Sequence, residues 1–225
     1  MFTLQDNHLT DSRHLLREHL LSAPQQQRSR DKQKGLLAAG LYLTENRDWD
    51  AVTIAEISAQ SGFSVGSFYT RFRNKQSYLD VLIILVAEQM QQQMDVFAQA
   101  LRSKPCSAVQ IVRAFVTFSI AHYARLSGII RMSILHRGKD TSHPFVAMRM
   151  YSCRQFIDFL MPHMALRGKA AKTRLKFAHQ MMNSTLVNAV LTDPGPLHVS
   201  DPAFKREMIF ALCAHLGISI HTSAK

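Results

Sequence analysis

With 225 residues, 47% of them hydrophobic, the chain is long and apolar enough for one large helical domain or two small ones, with a real core. Its formal charge of +11 and pI near 10.0 favour a polyanionic partner without choosing between nucleic acid and an anionic membrane. Cys106, Cys153 and Cys213 stand far apart with no CxxC pair, and the longest aliphatic run, Val81 to Ala87, falls far short of the roughly 20 residues that span a bilayer. A disulfide or metal framework and a membrane protein are therefore disfavoured, and a soluble cytoplasmic protein is expected.

Residues 1–27 read as an extension and linker. Leu9, Leu16 and Leu20, beside Leu15 and Leu21, predict a short amphipathic helix after Thr10 or Asp11 that Pro24 ends. Asp6, Asp11, Arg13, Arg17 and Glu18 run through these leucines, so the segment is not a secretory signal. A frayed tail and a helix that docks on its own domain or on a dimer partner both remain open. Gln25-Gln26-Gln27 is a polar linker. Arg28, Arg30, Lys32 and Lys34 then form a basic cluster at the start of a helix expected from about Ser29 to Asn46, with Leu36, Leu37, Ala39, Gly40, Leu41 and Leu43 as its apolar stripe. Trp49 and Val52 bracket a short loop, with Trp49 expected as a lid on the core.

Thr53 to Lys75 is the most informative stretch. Thr53 can cap a helix, with Glu56 three residues on to complete a capping box. Gly62 stands where that helix must stop, and it can take the positive φ of a C-terminal cap. Ser64 caps a second helix. On that helix Phe68 and Phe72 share an inward face, while Gly66, Ser67 and Thr70 point the other way and Val65 and Tyr69 lie on the flank. This is the layout of a helix-turn-helix, whose second helix enters a major groove. Thr53-Ile54-Ala55, Ser61-Gly62-Phe63-Ser64, Phe68-Tyr69, Phe72, Asn74-Lys75 and Leu79 resemble, in order and spacing, the DNA-binding signature of the TetR-type (TetR/AcrR) bacterial regulators. The resemblance covers about Arg28 to Leu82. Phe63 and Arg71 depart from the usual pattern, the latter at a position that bears on what is read.

The resemblance implies that Lys75 touches DNA phosphate. The full set of expected DNA-facing residues is Arg28, Arg30, Lys32, Thr53, Ser64, Val65, Gly66, Ser67, Tyr69, Thr70, Arg71 and Lys75, with Thr53, Tyr69 and Lys75 on phosphates. Asn74 caps a long helix expected to reach Ser103.

Beyond Pro105 the helical periodicity continues without strand patterns: Ser107–Arg125, Ser127–His136, Pro144–Met161, Gly168–Leu191 and, after the break at Asp193-Pro-Gly-Pro, a last helix from Asp201-Pro202 to Leu216, stopped by Gly217. The expectation is an all-α chain of about nine helices: a helix-turn-helix domain over residues 28–82 and a helical ligand-binding and dimerisation domain over 83–225. Phe177, Met181, Leu186, Phe204, Met208 and Leu212 are candidate contacts in a homodimer of the last two helices.

No HExxH, GxSxG, Walker loop or GxGxxG is present, so neither an enzyme nor a cofactor or metal site is expected. The resemblance implies an effector pocket in the second domain. Candidate walls are Phe115, Phe118, His122, Met148, Tyr151 and Met182, with Asn183 as a polar anchor. Arg113, Arg125, Arg131, Arg137, Arg149, Arg154, Arg167 and Arg174 face only Asp140 and Asp158 over Arg102–Lys176, which favours an anionic or amphipathic effector over a cation. The expected function is a homodimeric transcription regulator, a repressor released from a pseudo-palindromic double-stranded DNA operator by a small molecule, with no membrane partner. Two alternatives stay open: a regulator without an effector, and a thiol-based redox sensor using Cys106.

Overall fold

A computed structural model describes residues 27–44, 47, 49–137, 143–193 and 195–220, with side chains in the first helix from Asp31 onward. The leucine-bearing N-terminal helix read from the sequence lies outside them. Among the described residues the chain is all-helical, with two short 3-10 turns at Trp49–Ala51 and Met161–His163. The helices are α1 (Gln27–Thr44), α2 (Ile54–Ser61), α3 (Val65–Tyr69), α4 (Lys75–Arg102), α5 (Ala108–Arg125), α6 (Ser127–Arg137), α7 (Pro144–Leu160), α8 (Gly168–Leu191) and α9 (Pro202–Leu216). Gln27, expected in the linker, already opens α1.

The chain forms two compact units. Among the described residues, one contains those up to Gln92 together with those between Leu126 and Met148; the other contains Gln93–Arg125 and those from Arg149 onward. The long helix α4 contributes to both, because 28 residues extend about 42 Å at 1.5 Å per residue.

The first unit is built on Tyr78. Its ring is fully buried and meets Phe72 edge-on at 4.7 Å, Phe68 at 5.2 Å and Trp49 in a parallel stack at 5.9 Å. Its hydroxyl donates to the Leu36 carbonyl at 2.6 Å. A Cβ at residue 40 would lie 1.9 Å from that hydroxyl, so α1 can approach α4 this closely only because residue 40 is glycine. Leu36, Leu37, Val52, Ile57, Leu79 and Leu82 complete the core. Burial of each such side chain contributes about 1.5–3 kcal/mol.

The second unit is centred on phenylalanines. Phe115 is fully buried and meets Phe97 at 5.1 Å, Phe156 at 5.2 Å and Phe159 at 5.9 Å, while Phe97 lies 4.5 Å from Phe118. α9 packs on α5 and α8. At its start Pro202 occupies the first turn as expected, but the Asp201 carboxylate caps no helix N–H; it accepts instead from the His198 N–H at 2.8 Å. Gly217, at φ 69°, closes the helix in the left-handed region.

Candidate nucleic-acid interface

The helix-turn-helix is assembled by local hydrogen bonds. The Thr53 side chain accepts from the Glu56 N–H at 3.1 Å, and the Glu56 carboxylate accepts from the Thr53 N–H at 2.8 Å, which completes the capping box. Arg47 reaches the other carboxylate oxygen at 2.8 Å. Arg47 and the two Thr53 donors hold the exposed Glu56 carboxyl well below its ordinary range, at about 2. Gly62, at φ 73°, ends α2 in the left-handed region, and its N–H returns to Ala59 and Ser58 carbonyls. Two residues later the Ser64 hydroxyl caps α3 by accepting from the Ser67 N–H at 3.2 Å.

α3 is only five residues long, yet its two faces are sharply distinct. Phe68 is fully buried, as is Phe72 just beyond. Tyr69 is 56% exposed and Val65 42% exposed. Ser64, Gly66 and Thr70 are exposed too; Ser67 and Arg71 are half-buried. The Thr70 hydroxyl donates to the Ser67 carbonyl at 2.8 Å, which leaves its oxygen outward as an acceptor. The outward surface therefore combines small side chains, permitting close approach, with one large ring carrying a hydroxyl. Lys32 is exposed on α1; the side chains of Arg28 and Arg30 lie outside the described residues.

Lys75 opens α4, capped by the Asn74 carboxamide oxygen, which accepts from the Ser77 N–H at 2.8 Å. The Lys75 ammonium donates to the Trp49 carbonyl at 2.6 Å and the Asp50 carbonyl at 3.3 Å, and it sits 4.6 Å from the centroid of the Trp49 ring. Partial burial pushes its pKa down, against the pull of Asp50 and Glu56. Trp49 is thus a core residue, as expected, and also holds the lysine. The sequence reading missed this second role, together with the hub position of Tyr78. The only available signal was that Tyr78 falls one helical turn after Lys75.

Phe115, Phe118, His122, Tyr151, Met182 and Asn183 belong to the second unit, and Met148 to the first. Phe115 is locked among rings. His122 is buried on α5: its Nδ1–H donates to the Phe118 carbonyl at 2.8 Å, and Nε2 lies 2.6 Å from the Gln93 side-chain amide. Burial pushes its pKa down. Asn183 accepts from the Tyr123 hydroxyl at 2.5 Å, and burial raises that phenol to about 12. The Tyr151 hydroxyl donates to the Asp95 carboxylate, joining α7 to the last turns of α4. Arg102 reinforces that joint, donating to Gln155 at 2.9 Å and lying 4.9 Å over the Phe159 ring. Burial raises the thiols of Cys153 and Cys213, so neither is poised as a thiolate; Cys106 is half-buried.

The candidate dimer contacts need correction. Leu186, Phe204, Met208 and Leu212 are buried within the chain, where α8 and α9 pack on each other and on α5. Phe177 is 51% exposed and Met181 half-buried, and Phe210, which the sequence reading passed over, is 59% exposed. Phe177 borders an open groove of about 700 Å³ with Leu166, Lys169, Thr173, Arg174 and His215. Helices this apolar offer several faces at helical spacing, and the chain's own packing decides which remains outside.

Residues 36–80 match the family model for bacterial regulatory proteins of the tetR family. A comparison with curated proteins finds no match. Solved structures of similar fold include a TetR-family transcriptional regulator of Mesorhizobium loti MAFF303099, at 15% identity over 85% of this chain and 98% of that one, with a TM-score of 0.65. The fatty acid degradation regulator FadR of Bacillus halodurans shares 14% identity over 79% of this chain and 92% of its own, with a TM-score of 0.57. RolR in complex with resorcinol shares 16% over 86% and 91%, with a TM-score of 0.52.

Proposed function

We propose that this chain, a member of the TetR family of bacterial regulatory proteins, works as a homodimeric repressor that holds a pseudo-palindromic operator and releases it when a small molecule binds its C-terminal helices. The observation that carries the reading is α3. Its core face is closed by Phe68, while Val65, Gly66, Tyr69 and Thr70 stand free beside Ser64 at the end of a tight, doubly capped turn. Such a surface fits into a major groove, with small residues against base edges and the Tyr69 hydroxyl toward a phosphate. Two copies related by a two-fold axis would set two such helices about 34 Å apart, one turn of DNA. Exposed Phe177 and Phe210 on α8 and α9 support pairing through that face.

Release would act through α4. This helix begins at Lys75, and its last turns are tied to α5 and α7 by Gln93–His122, Asp95–Tyr151 and Arg102–Gln155. An effector that competes for these polar partners shifts α4 and the recognition helices it carries. The cationic character of Arg102–Lys176 supports an anionic or amphipathic effector. RolR, of the same fold, holds resorcinol, which supports an effector of modest size.

The test is selection of genomic DNA fragments by the purified protein, followed by gel shifts on the enriched sequences with candidate ligands. Enrichment of fragments sharing an inverted repeat, with release by one ligand class, is the expected result. Binding without sequence preference would refute the repressor reading.

A further inference from the structure

Trp49 is the only tryptophan in the chain, and it touches Lys75 twice, through its carbonyl oxygen at 2.6 Å and through its ring at 4.6 Å. The ring is not free to turn away. It is 3% exposed and stacks within 5° of parallel on Tyr78, which is itself anchored on the Leu36 carbonyl in the notch left by Gly40. A lysine ammonium carries three N–H donors. Two are taken by the Trp49 and Asp50 carbonyls, and no acceptor among the described residues takes the third. Of the nearby carboxylates, Glu56 is engaged by Thr53 and Arg47, and Asp50 meets the ammonium through its main-chain oxygen. The positive charge is therefore fixed in place and partly stripped of water, with no side-chain carboxylate bonded to it.

We propose that Trp49 is a positioning residue for DNA binding: its ring and carbonyl hold the Lys75 ammonium at the start of α4 with one N–H directed to a backbone phosphate. The proposal rests on the reading of Thr53–Lys75 as a DNA-binding element. A flexible lysine on a bare surface would have to be ordered when DNA arrives; here the ordering is done by folding, and the phosphate meets a prepared donor. The ring adds a cation–π attraction that keeps the ammonium from swinging into solvent.

The experiment uses the full chain and a fluorescently labelled mixed-sequence duplex, with affinity measured over a range of salt concentrations for the wild type, Lys75→Ala, Trp49→Leu, Trp49→Phe and the double variant Trp49→Leu/Lys75→Ala. Lys75→Ala should reduce the slope of log affinity against log salt by about one, as the loss of one phosphate contact requires. Trp49→Leu should weaken binding several-fold, and the double variant should bind no worse than Lys75→Ala alone, because the ring acts through the lysine. Trp49→Phe, which keeps a ring, should retain more affinity than Trp49→Leu. If the two single losses multiply in the double variant, Trp49 acts only by stabilising the fold and the proposal is overturned, while Lys75 keeps its phosphate. If Lys75→Ala leaves the salt slope unchanged, the phosphate role of Lys75 fails and the proposal with it.

Because Trp49→Leu removes a buried core ring, the native emission of Trp49 gives a measurement independent of that variant's folding. Saturating duplex should change the emission of the wild type, and Lys75→Met should abolish that change while the labelled duplex still reports binding. No change in the wild type, or an equal change in Lys75→Met, overturns the proposal.

Discussion

Phe68 and Tyr69 are neighbours on a five-residue helix, and they stand in opposite surroundings. Phe68 is fully buried, with ring centroids of Phe72 and Tyr78 at 5.2 Å. Truncation to alanine removes an entire core ring, which costs about 3–5 kcal/mol. For a protein of this size, with a Tm shift of about 2–4 °C per kcal/mol, that is a fall of roughly 6–20 °C. Tyr69 meets only the edge of Phe68, at 5.6 Å, and is 56% exposed. Tyr69→Ala should alter stability by no more than about 0.5 kcal/mol. It should nevertheless weaken operator binding about tenfold or more, the equivalent of one contact near 1.4 kcal/mol. Tyr69→Phe separates the hydroxyl from the ring: if the hydroxyl meets a phosphate, most of the loss should already appear there. Melting followed by far-UV circular dichroism and gel shifts on the selected operator measure both effects. A Phe68→Ala protein that melts like the wild type, or a Tyr69→Ala protein that unfolds early but binds normally, would show that α3 presents the other face.

Gly40→Ala should destabilise the protein by about 1–3 kcal/mol despite alanine's better helix propensity, because the new methyl lies 1.9 Å from the Tyr78 hydroxyl, which is bonded to the Leu36 carbonyl on a ring packed against Trp49 and Phe72. A melting temperature at or above wild type would contradict the notch. His179, buried and 3.1 Å from the Ser152 hydroxyl, has its pKa lowered from 6.5 to about 4 by burial and by Arg149. The unfolded chain therefore takes up that proton first: the contribution is intact above about pH 6.5 and is lost as pH falls toward 4, by at most roughly 1.4 kcal/mol per pH unit. His179→Gln should flatten the pH dependence of Tm over that window, and an unchanged profile would exclude His179 as its source. Phe177→Glu and Phe210→Glu should each turn the proposed dimer into a monomer at micromolar concentration by light scattering without lowering Tm; dimers that persist would move the interface elsewhere.

The helix-turn-helix was legible in the sequence because its determinants are local. The Thr53–Glu56 box, the Gly62 turn, the Ser64 and Asn74 caps and the Phe68–Phe72 pair all join residues no more than four apart, so spacing on one helix dictates them. The succession of nine helices among the described residues followed for the same reason, from periodicity and from the breaks at Pro105, Asp193–Pro196 and Gly217. Contacts between distant residues were decided only by tertiary packing. Tyr78 meets Leu36 across 42 residues and Lys75 meets Trp49 across 26, so neither the Gly40 notch nor the held ammonium has a signature in either segment alone. Tyr151 and Asp95, 56 residues apart, form a clasp where the sequence suggested a pocket wall. On α8 and α9 the apolar residues recur on several faces, and periodicity assigned Leu186, Phe204, Met208 and Leu212 to a partner although α5 and the neighbouring helix already cover them. A helix's own sequence shows which faces can be buried; which of them is buried depends on where the other helices lie, because the favourable energy of burial comes from the neighbour that excludes water.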